Sequence, residues 1–300
     1  MAEIGRRLRA EGIPFRENVL GSKLTTFGSG GAVRFLLLPR NAAEVARALT
    51  ILREESVPSQ VIGAGSNILL PDEGYDGALI RLTALSSVER KGRCLRVGAG
   101  VPMPRLARVA LGYSLSGAEF AAGIPGETGG STARNAGAFG QAMSDLIEEV
   151  TILTDGRIEH LPAAALEMTY HDGRLPAGSV VLSVLLHLAE GEGARIEAAI
   201  RDMREKRRAT QPTMPSAGSV FRRADGKPAA LFIEETGLKG RRIGGAMLSE
   251  KHCNFIVNVG GAATGDYFAL AELVRKEVKK RAKLSLEYEV ERIICSRTRN

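Results

Sequence analysis

The sequence predicts an α+β protein of two or three packed domains, and three observations predict it. Its 300 residues are 44% hydrophobic and 25% charged, which supplies a sizeable core and excludes a disordered chain. The first third alternates strand-like and helix-like runs, and the middle is a series of short strands separated by glycine turns. A long helical pattern lies near the carboxyl end.

Each element has a local reason. In MAEIGRRLRAEG, Ile4 and Leu8 fall four apart and give a short leader helix a small apolar stripe. AVRFLLLP reads as a strand. The helix that follows is capped by Asn41, with Glu44 placed for a capping box and Val45, Leu49 and Leu52 on the buried side. Strands at SQVIGAG and ALIRL complete a βαββ-like unit running to about Leu82. From Ser87 the run SVERKGRCLRVGAG alternates as a hairpin, PMPRLARVALGY is a helix that proline can begin, and EEVTILTDGRIEHL is a second hairpin turning at Asp155-Gly156. SVVLSVLLHLAE is strand-like. ARIEAAIRDMREKRRATQP is a basic helix that bridges to a third unit, and DYFALAELVRKEVKKRAK is a helix with Phe268, Leu270, Leu273 and Val274 on its apolar side. Breaks near Leu82 and Arg204 divide the chain into 1–82, 83–204 and 205–300.

Composition narrows the function without selecting it. The amino terminus lacks an apolar secretion signal and no run is long enough to span a membrane, so a cytoplasmic protein is expected. The three cysteines, Cys94, Cys253 and Cys295, have no ligand-like spacing and the four histidines are scattered, so no metal centre is predicted. Cys253 and Cys295 read as packing residues. The formal charge of +7 suits nucleic acid, a phosphorylated metabolite or nothing in particular and does not choose among them; aromatics do not interleave with basic residues, so no specific nucleic-acid binding is expected.

Four glycine-rich segments stand out: TTFGSGG (25–31), GAGSNIL (63–69), GIPGETGGSTARNAGAFG (123–140) and PSAGSVFRR (215–223). Glycine lets successive N–H groups converge on an anion, and small hydroxyls and amides add donors. None fits the lysine-bearing phosphate loop, and GAGSNIL has Ile68 where the Rossmann pattern needs its third glycine.

With TTFGSGGAVRF, VIGAGSNILLPDEGYDGALIRL, GAEFAAGIPGETGGSTARNAGAFG, PSAGSVFRR, FIEETGLKGRRIGGAMLSEKHCNFIVN and LEYEVERI in this order, the chain resembles the UDP-N-acetylenolpyruvoylglucosamine reductases. The resemblance runs from Asn18 to Ile294 and is to the shorter family type, without a long insertion before the basic helix. It implies a vanillyl-alcohol-oxidase-like, two-part FAD-binding fold (1–82 and 83–204) and a smaller α+β substrate domain (205–300). It also implies FAD held non-covalently, with Thr26, the run Gly63, Ala64, Gly65, Ser66, Asn67 and Ile68, the run Gly123, Ile124, Pro125 and Gly126, and Gly129, Gly130, Ser131, Asn135, Ala136 and Gly137 around pyrophosphate and ring.

The implied reaction is NADPH-dependent reduction of UDP-N-acetylglucosamine enolpyruvate to UDP-N-acetylmuramate. Ser219 aligns with the family's proton donor, Glu289 with the carboxylate that assists enol protonation, and Tyr170 with its site tyrosine. Arg208, Gln211, Lys239, Lys251 and Asn254 are candidates for diphosphate recognition. Family members usually read Tyr-Arg-x-Ser-x-Phe, whereas this chain reads Tyr170, His171, Asp172, Gly173, Arg174, Leu175. The carboxylate-binding arginine is therefore absent, leaving His171 or Arg174 to replace it, or a changed acceptor, or a silent FAD-binding protein.

Overall fold

The structure is a computed structural model that describes residues 2–294; Cys295 lies outside the described residues. Two compact units emerge. Among the described residues, one gathers 2–16, Leu36–Gly63 and Ala78–Arg207; the other gathers Glu17–Phe35, Ala64–Gly77 and 208–294. Segments 17–35 and 64–77 group with the carboxyl-terminal unit, so each unit is assembled from separate stretches of chain.

In the first unit, the leader helix Ala2–Ala10 buries Ile4 and Leu8. Helix Ala42–Glu54 starts where Asn41 Oδ1 accepts from Glu44 N–H (3.0 Å), and it buries Val45, Ala48, Ile51 and Leu52. Leu49 is only half-buried, because it faces a cavity described below. Strand Ser59–Ile62 pairs in parallel with the end of Tyr75–Arg81, Ser59 opposite Ala78 and Ile62 opposite Arg81.

A five-stranded antiparallel sheet follows, in the order Arg157–Pro162, Ile147–Thr154, Val180–His187, Cys94–Gly98, Val88–Lys91. Asp155 (φ 45°) and Gly156 (φ 76°) turn the first hairpin with both central residues left-handed, the geometry that follows strand twist. Val150, Ile152, Val184, Leu186, Leu95 and Val97 fill its inner face. Helix Met103–Gly112 buries Met103, Leu106, Ala107 and Ala110, and the helix Gly193–Thr210 buries Ile196 and Ile200.

The second unit has an antiparallel sheet ordered Ser216–Ser219, Phe255–Asn258, Ala246–Leu248, Arg242–Ile243. Against it lie helices Ala229–Glu234 and Thr264–Ala282. The long helix buries Tyr267, Leu270, Ala271, Val274 and Val278, with Phe268 and Leu273 at the margin, so its apolar stripe is rotated from the expected one. Phe27 and Leu69 join this core, and the Phe27 and Tyr267 rings meet edge to face at 5.1 Å. Polar ties explain why the early segments belong here. Asp72 accepts from the N–H groups of Thr264 and Gly265 (both 2.8 Å), capping the long helix from a distant loop, and Thr264 Oγ1 donates to Leu70 O at 2.7 Å.

Among the described residues, no helix is long and apolar enough to cross a membrane.

Candidate active site

Within the first unit a cavity of about 670 Å³ opens, inside the roughly 300–1,000 Å³ range of small-molecule sites. Gly63, Gly129 and Gly130, three of the expected cofactor residues, line it together with Glu127, Leu49, Ala99 and Ser179. Close packing dictates Gly129, where a Cβ would sit 2.8 Å from Ala99 Cβ. At Gly63 an added Cβ would face the Glu127 carboxylate at 3.5 Å, so these two residues share one stretch of wall. Ser179 Oγ is shielded from solvent in this wall with no protein hydrogen-bond partner. A spacious cavity with glycine walls and an orphaned hydroxyl fits a bound organic cofactor with hydrogen-bonding groups of its own.

Glu127 refines that fit. It is buried, and desolvation pushes its carboxyl above the ordinary 4.5, with the Arg81 charge opposing only in part. A carboxyl here repels phosphate, so this wall suits N–H or hydroxyl groups of the cofactor rather than its pyrophosphate. Because folding raises this pKa, stability present at low pH is lost as pH climbs from 4.5 through the higher native value. Glu127→Gln is expected to remove that loss. Thermal unfolding of the flavin-free protein across about pH 4–8 checks it: wild type should fall relative to the variant over the rise, then run parallel.

The rest of the first unit's glycine segment organises a second loop. Ala136 N–H donates to Ser131 O (2.7 Å), and Asn135 (φ 42°) donates from Nδ2 to Thr169 O (3.0 Å) while accepting from Ser144 N–H (2.9 Å). Asn135 thus ties the loop to the turn bearing Tyr170 and His171. Gly123 packs against Arg207, whose Cδ lies 3.0 Å from the position of an added Cβ. Burial alone lowers the Arg207 pKa, which marks a desolvated cation beside an expected cofactor loop. The sequence signal for Arg207 was the basic run Lys206-Arg207-Arg208, in which spacing does not reveal which member turns inward.

Thr169 and Asp172 exchange main-chain hydrogen bonds, holding Tyr170 and His171 (φ 55°) at the tip of a tight turn. Tyr170 is exposed, its ring edge-on to His171 at 4.2 Å. Gly173 has a clear reason to be glycine: a Cβ would lie 2.4 Å from Thr132 O. Arg174 is exposed and its Nε approaches Asp172 Oδ2 at 3.4 Å, so its charge is locally countered.

In the second unit, the expected cofactor loop and the expected catalytic pair come together. Gly65 (φ 72°) makes a close turn against Leu24, and its carbonyl accepts from Thr26 N–H at 3.0 Å. Thr26 Oγ1 donates to Ser216 O (2.7 Å), tying this turn to the strand that ends at Ser219. Ser66 O lies 3.6 Å from the Cβ position of Gly218. Asn67 Nδ2 donates to Glu289 O (3.1 Å), and Glu289 N–H donates to Val220 O (2.9 Å). Ile68–Leu69 then pairs in parallel with Glu291–Arg292. Ser219 sits just after a register break at Gly218 (φ 76°), half-buried.

The diphosphate candidates divide. Lys251 Nζ donates to Arg208 O, bringing those two residues together. Lys239 is ion-paired to Glu234 (2.5 Å), which raises the amine and lowers the carboxyl pKa. Asn254 is buried and both ends of its amide bond the Phe221 main chain, Oδ1 from N–H at 3.0 Å and Nδ2 to O at 2.8 Å. It therefore holds the segment after Ser219 in place. Gln211 is half-buried directly after the basic helix. Burial pushes the Cys253 thiol up to about 11, so it is not poised as a nucleophile, and burial also lowers the His252 pKa.

Known proteins match this arrangement along most of its length. Residues 33–161 match an FAD binding domain, and residues 211–293 match the C-terminal domain of UDP-N-acetylenolpyruvoylglucosamine reductase. The UDP-N-acetylenolpyruvoylglucosamine reductase of Anaeromyxobacter dehalogenans (strain 2CP-C) is 40% identical over 290 residues, covering 96% of this chain and 87% of that protein. Reductase 2 of Symbiobacterium thermophilum is 40% identical over 270 residues, 89% of this chain and 88% of that one. The crystal structure of the Thermus caldophilus enzyme superposes with a TM-score of 0.81 at 33% identity, covering 94% of this chain and 99% of that one. The fold is thus an α+β FAD-binding fold of the vanillyl-alcohol-oxidase type with a separate substrate-binding part. Since 40% of residues are shared across most of the chain and both signature regions occur in order, the protein belongs to the UDP-N-acetylenolpyruvoylglucosamine reductase family.

Proposed function

We propose that the chain reduces UDP-N-acetylglucosamine enolpyruvate to UDP-N-acetylmuramate, with NADPH as hydride donor, in the formation of peptidoglycan precursors. Bound FAD supplies a two-electron carrier between the nicotinamide and the enolpyruvyl double bond. The observation that carries the reading is the linkage in the second unit, where Asn67 of the cofactor loop holds the Glu289 carbonyl and Glu289 N–H holds the residue after Ser219.

The residue roles follow from the chemistry. Hydride arrival at the terminal methylene leaves an electron pair on the carbon next to the carboxylate, and a donor must protonate that carbon. Ser219 Oγ–H gives the proton and Glu289 assists. The growing carboxylate charge needs nearby donors or cations, because only interactions stronger in the transition state accelerate the step. By the family resemblance Tyr170 and His171 are assigned this role; the Arg174 guanidinium faces Asp172. Lys251 and Arg208 serve the diphosphate, and Arg207 adds a desolvated cation near Gly123. On the cofactor side, Gly63, Gly129, Gly130 and Ser179 form the cavity wall, with Glu127 accepting from cofactor donors.

A changed acceptor is the rival reading, favoured by His171 and by the close packing that excludes a serine at Gly173. Rapid mixing separates them. The NADPH-reduced protein should be reoxidised by the enolpyruvyl sugar without oxygen; persistent reduced flavin in its presence overturns the proposal. His171→Ala is expected to lower kcat/KM for the enolpyruvyl sugar about ten- to hundredfold, the scale of one charge-assisted hydrogen bond, and Arg174→Ala to leave it almost unchanged. Steady-state kinetics on both variants checks this.

A further inference from the structure

We infer that Cys94, Glu148 and His187 form a binding site for a zinc-class divalent cation, away from the cofactor cavity. The linear separations of Cys94 from Glu148 and from His187, 54 and 93 residues, hide the cluster in the sequence. The sheet assembles it. Cys94 and His187 are cross-strand partners where Cys94–Gly98 pairs with Val180–His187, so their side chains share one face. Glu148 is the extra residue at the register break between Ile147 and Glu149 on the adjoining strand. Such a bulge takes one side chain out of alternation and re-aims it, here towards the Cys-His pair.

The distances suit one ion. Cys94 Sγ lies 3.5 Å from Glu148 Oε2 and 3.6 Å from His187 Nδ1, and the three donor atoms all fall within 4.8 Å of one another. A tetrahedral ion with bonds of about 2.3 Å to sulfur and about 2.0 Å to nitrogen or oxygen has S···N and S···O edges of about 3.5 Å. A thiolate, an imidazole and a carboxylate favour zinc over calcium or magnesium, which prefer oxygen ligands throughout. Glu148 and His187 are exposed, so water can complete the fourth position.

The site would pin three strands at one end of the sheet. His187 is six residues along its strand from Val181, which lines the cofactor cavity, a separation of about 20 Å. Cation binding is therefore expected to raise thermal stability without changing flavin reduction.

The FAD-bound protein, stripped of metal with a chelator, should take up one equivalent of Zn²⁺ by calorimetry, with affinity reduced about tenfold or more in both Cys94→Ser and His187→Ala. Co²⁺ should give tetrahedral d–d bands to the red of the flavin spectrum. Absence of stoichiometric binding, or equal affinity in wild type and Cys94→Ser, overturns the site. The unsubstituted protein supplies a second measurement that does not depend on how the variants fold. Alkylation of Cys94, mapped by mass spectrometry, should slow when zinc is added; an unchanged rate overturns the inference as well.

Discussion

Replacing Ser219 by alanine is expected to leave reduction of the bound flavin by NADPH largely unchanged and to slow reoxidation by the enolpyruvyl sugar by about 10²–10⁴-fold, the usual reach of one positioned general acid. The two half-reactions separate because a proton is needed on substrate carbon only in the second. Ser219→Cys keeps an ionisable hydrogen on a side chain of similar shape, so it should restore part of the rate. Glu289→Gln is an informative companion: the ties of Glu289 to Asn67 and Val220 both use its main chain. Its carboxylate can therefore be neutralised with those ties in place, and slowed reoxidation at unchanged melting temperature would assign the loss to charge. Stopped-flow traces of each half-reaction make the check, and equal slowing of both in Ser219→Ala would remove Ser219 from the proton-donor role.

The elements were legible where local chemistry and burial agree. Asn41 with Glu44, the Asp155-Gly156 turn and the alternating middle strands each specify structure within a few residues. The unit organisation was less legible, because it depends on contacts far apart in sequence. Asp72 caps a helix beginning at Thr264, and Phe27 packs on Tyr267. The orientation of the long helix also depended on these partners. At the candidate site, glycine spacing and ordered motifs pointed to candidate loops, but they did not show which residues work through the main chain. Asn254 spends its amide on Phe221, and Thr26 spends its hydroxyl on Ser216. Neither partnership leaves a trace in residue identity alone. Glu127 and Arg207 were hidden for a related reason: charge is visible in a sequence, whereas desolvation requires the fold.

Gly65→Ala should yield a destabilised protein that does not retain flavin. At φ 72° a residue with a side chain carries a backbone cost of about 1–3 kcal/mol. The new Cβ would also stand 1.9 Å from Leu24 O, a backbone atom that cannot rotate away. Relief requires Gly65 and Leu24 to separate, which strains the Thr26 N–H bond to Gly65 O and, through Thr26 Oγ1, the contact with Ser216. The same displacement propagates along the chain to Asn67 and its bond to Glu289. Gly130→Ala makes an opposing case. Nothing lies within 4 Å of its added Cβ, and the position is helical, where alanine is favoured by about 0.5–1 kcal/mol over glycine. Because Gly130 lines the cavity, the methyl group should weaken flavin binding even as the flavin-free protein becomes more stable. Melting curves with and without FAD, together with flavin titration, test the contrast. Loss of stability in Gly130→Ala, or a normally yellow and stable Gly65→Ala, would contradict the backbone and cavity geometry from which these opposite signs arise.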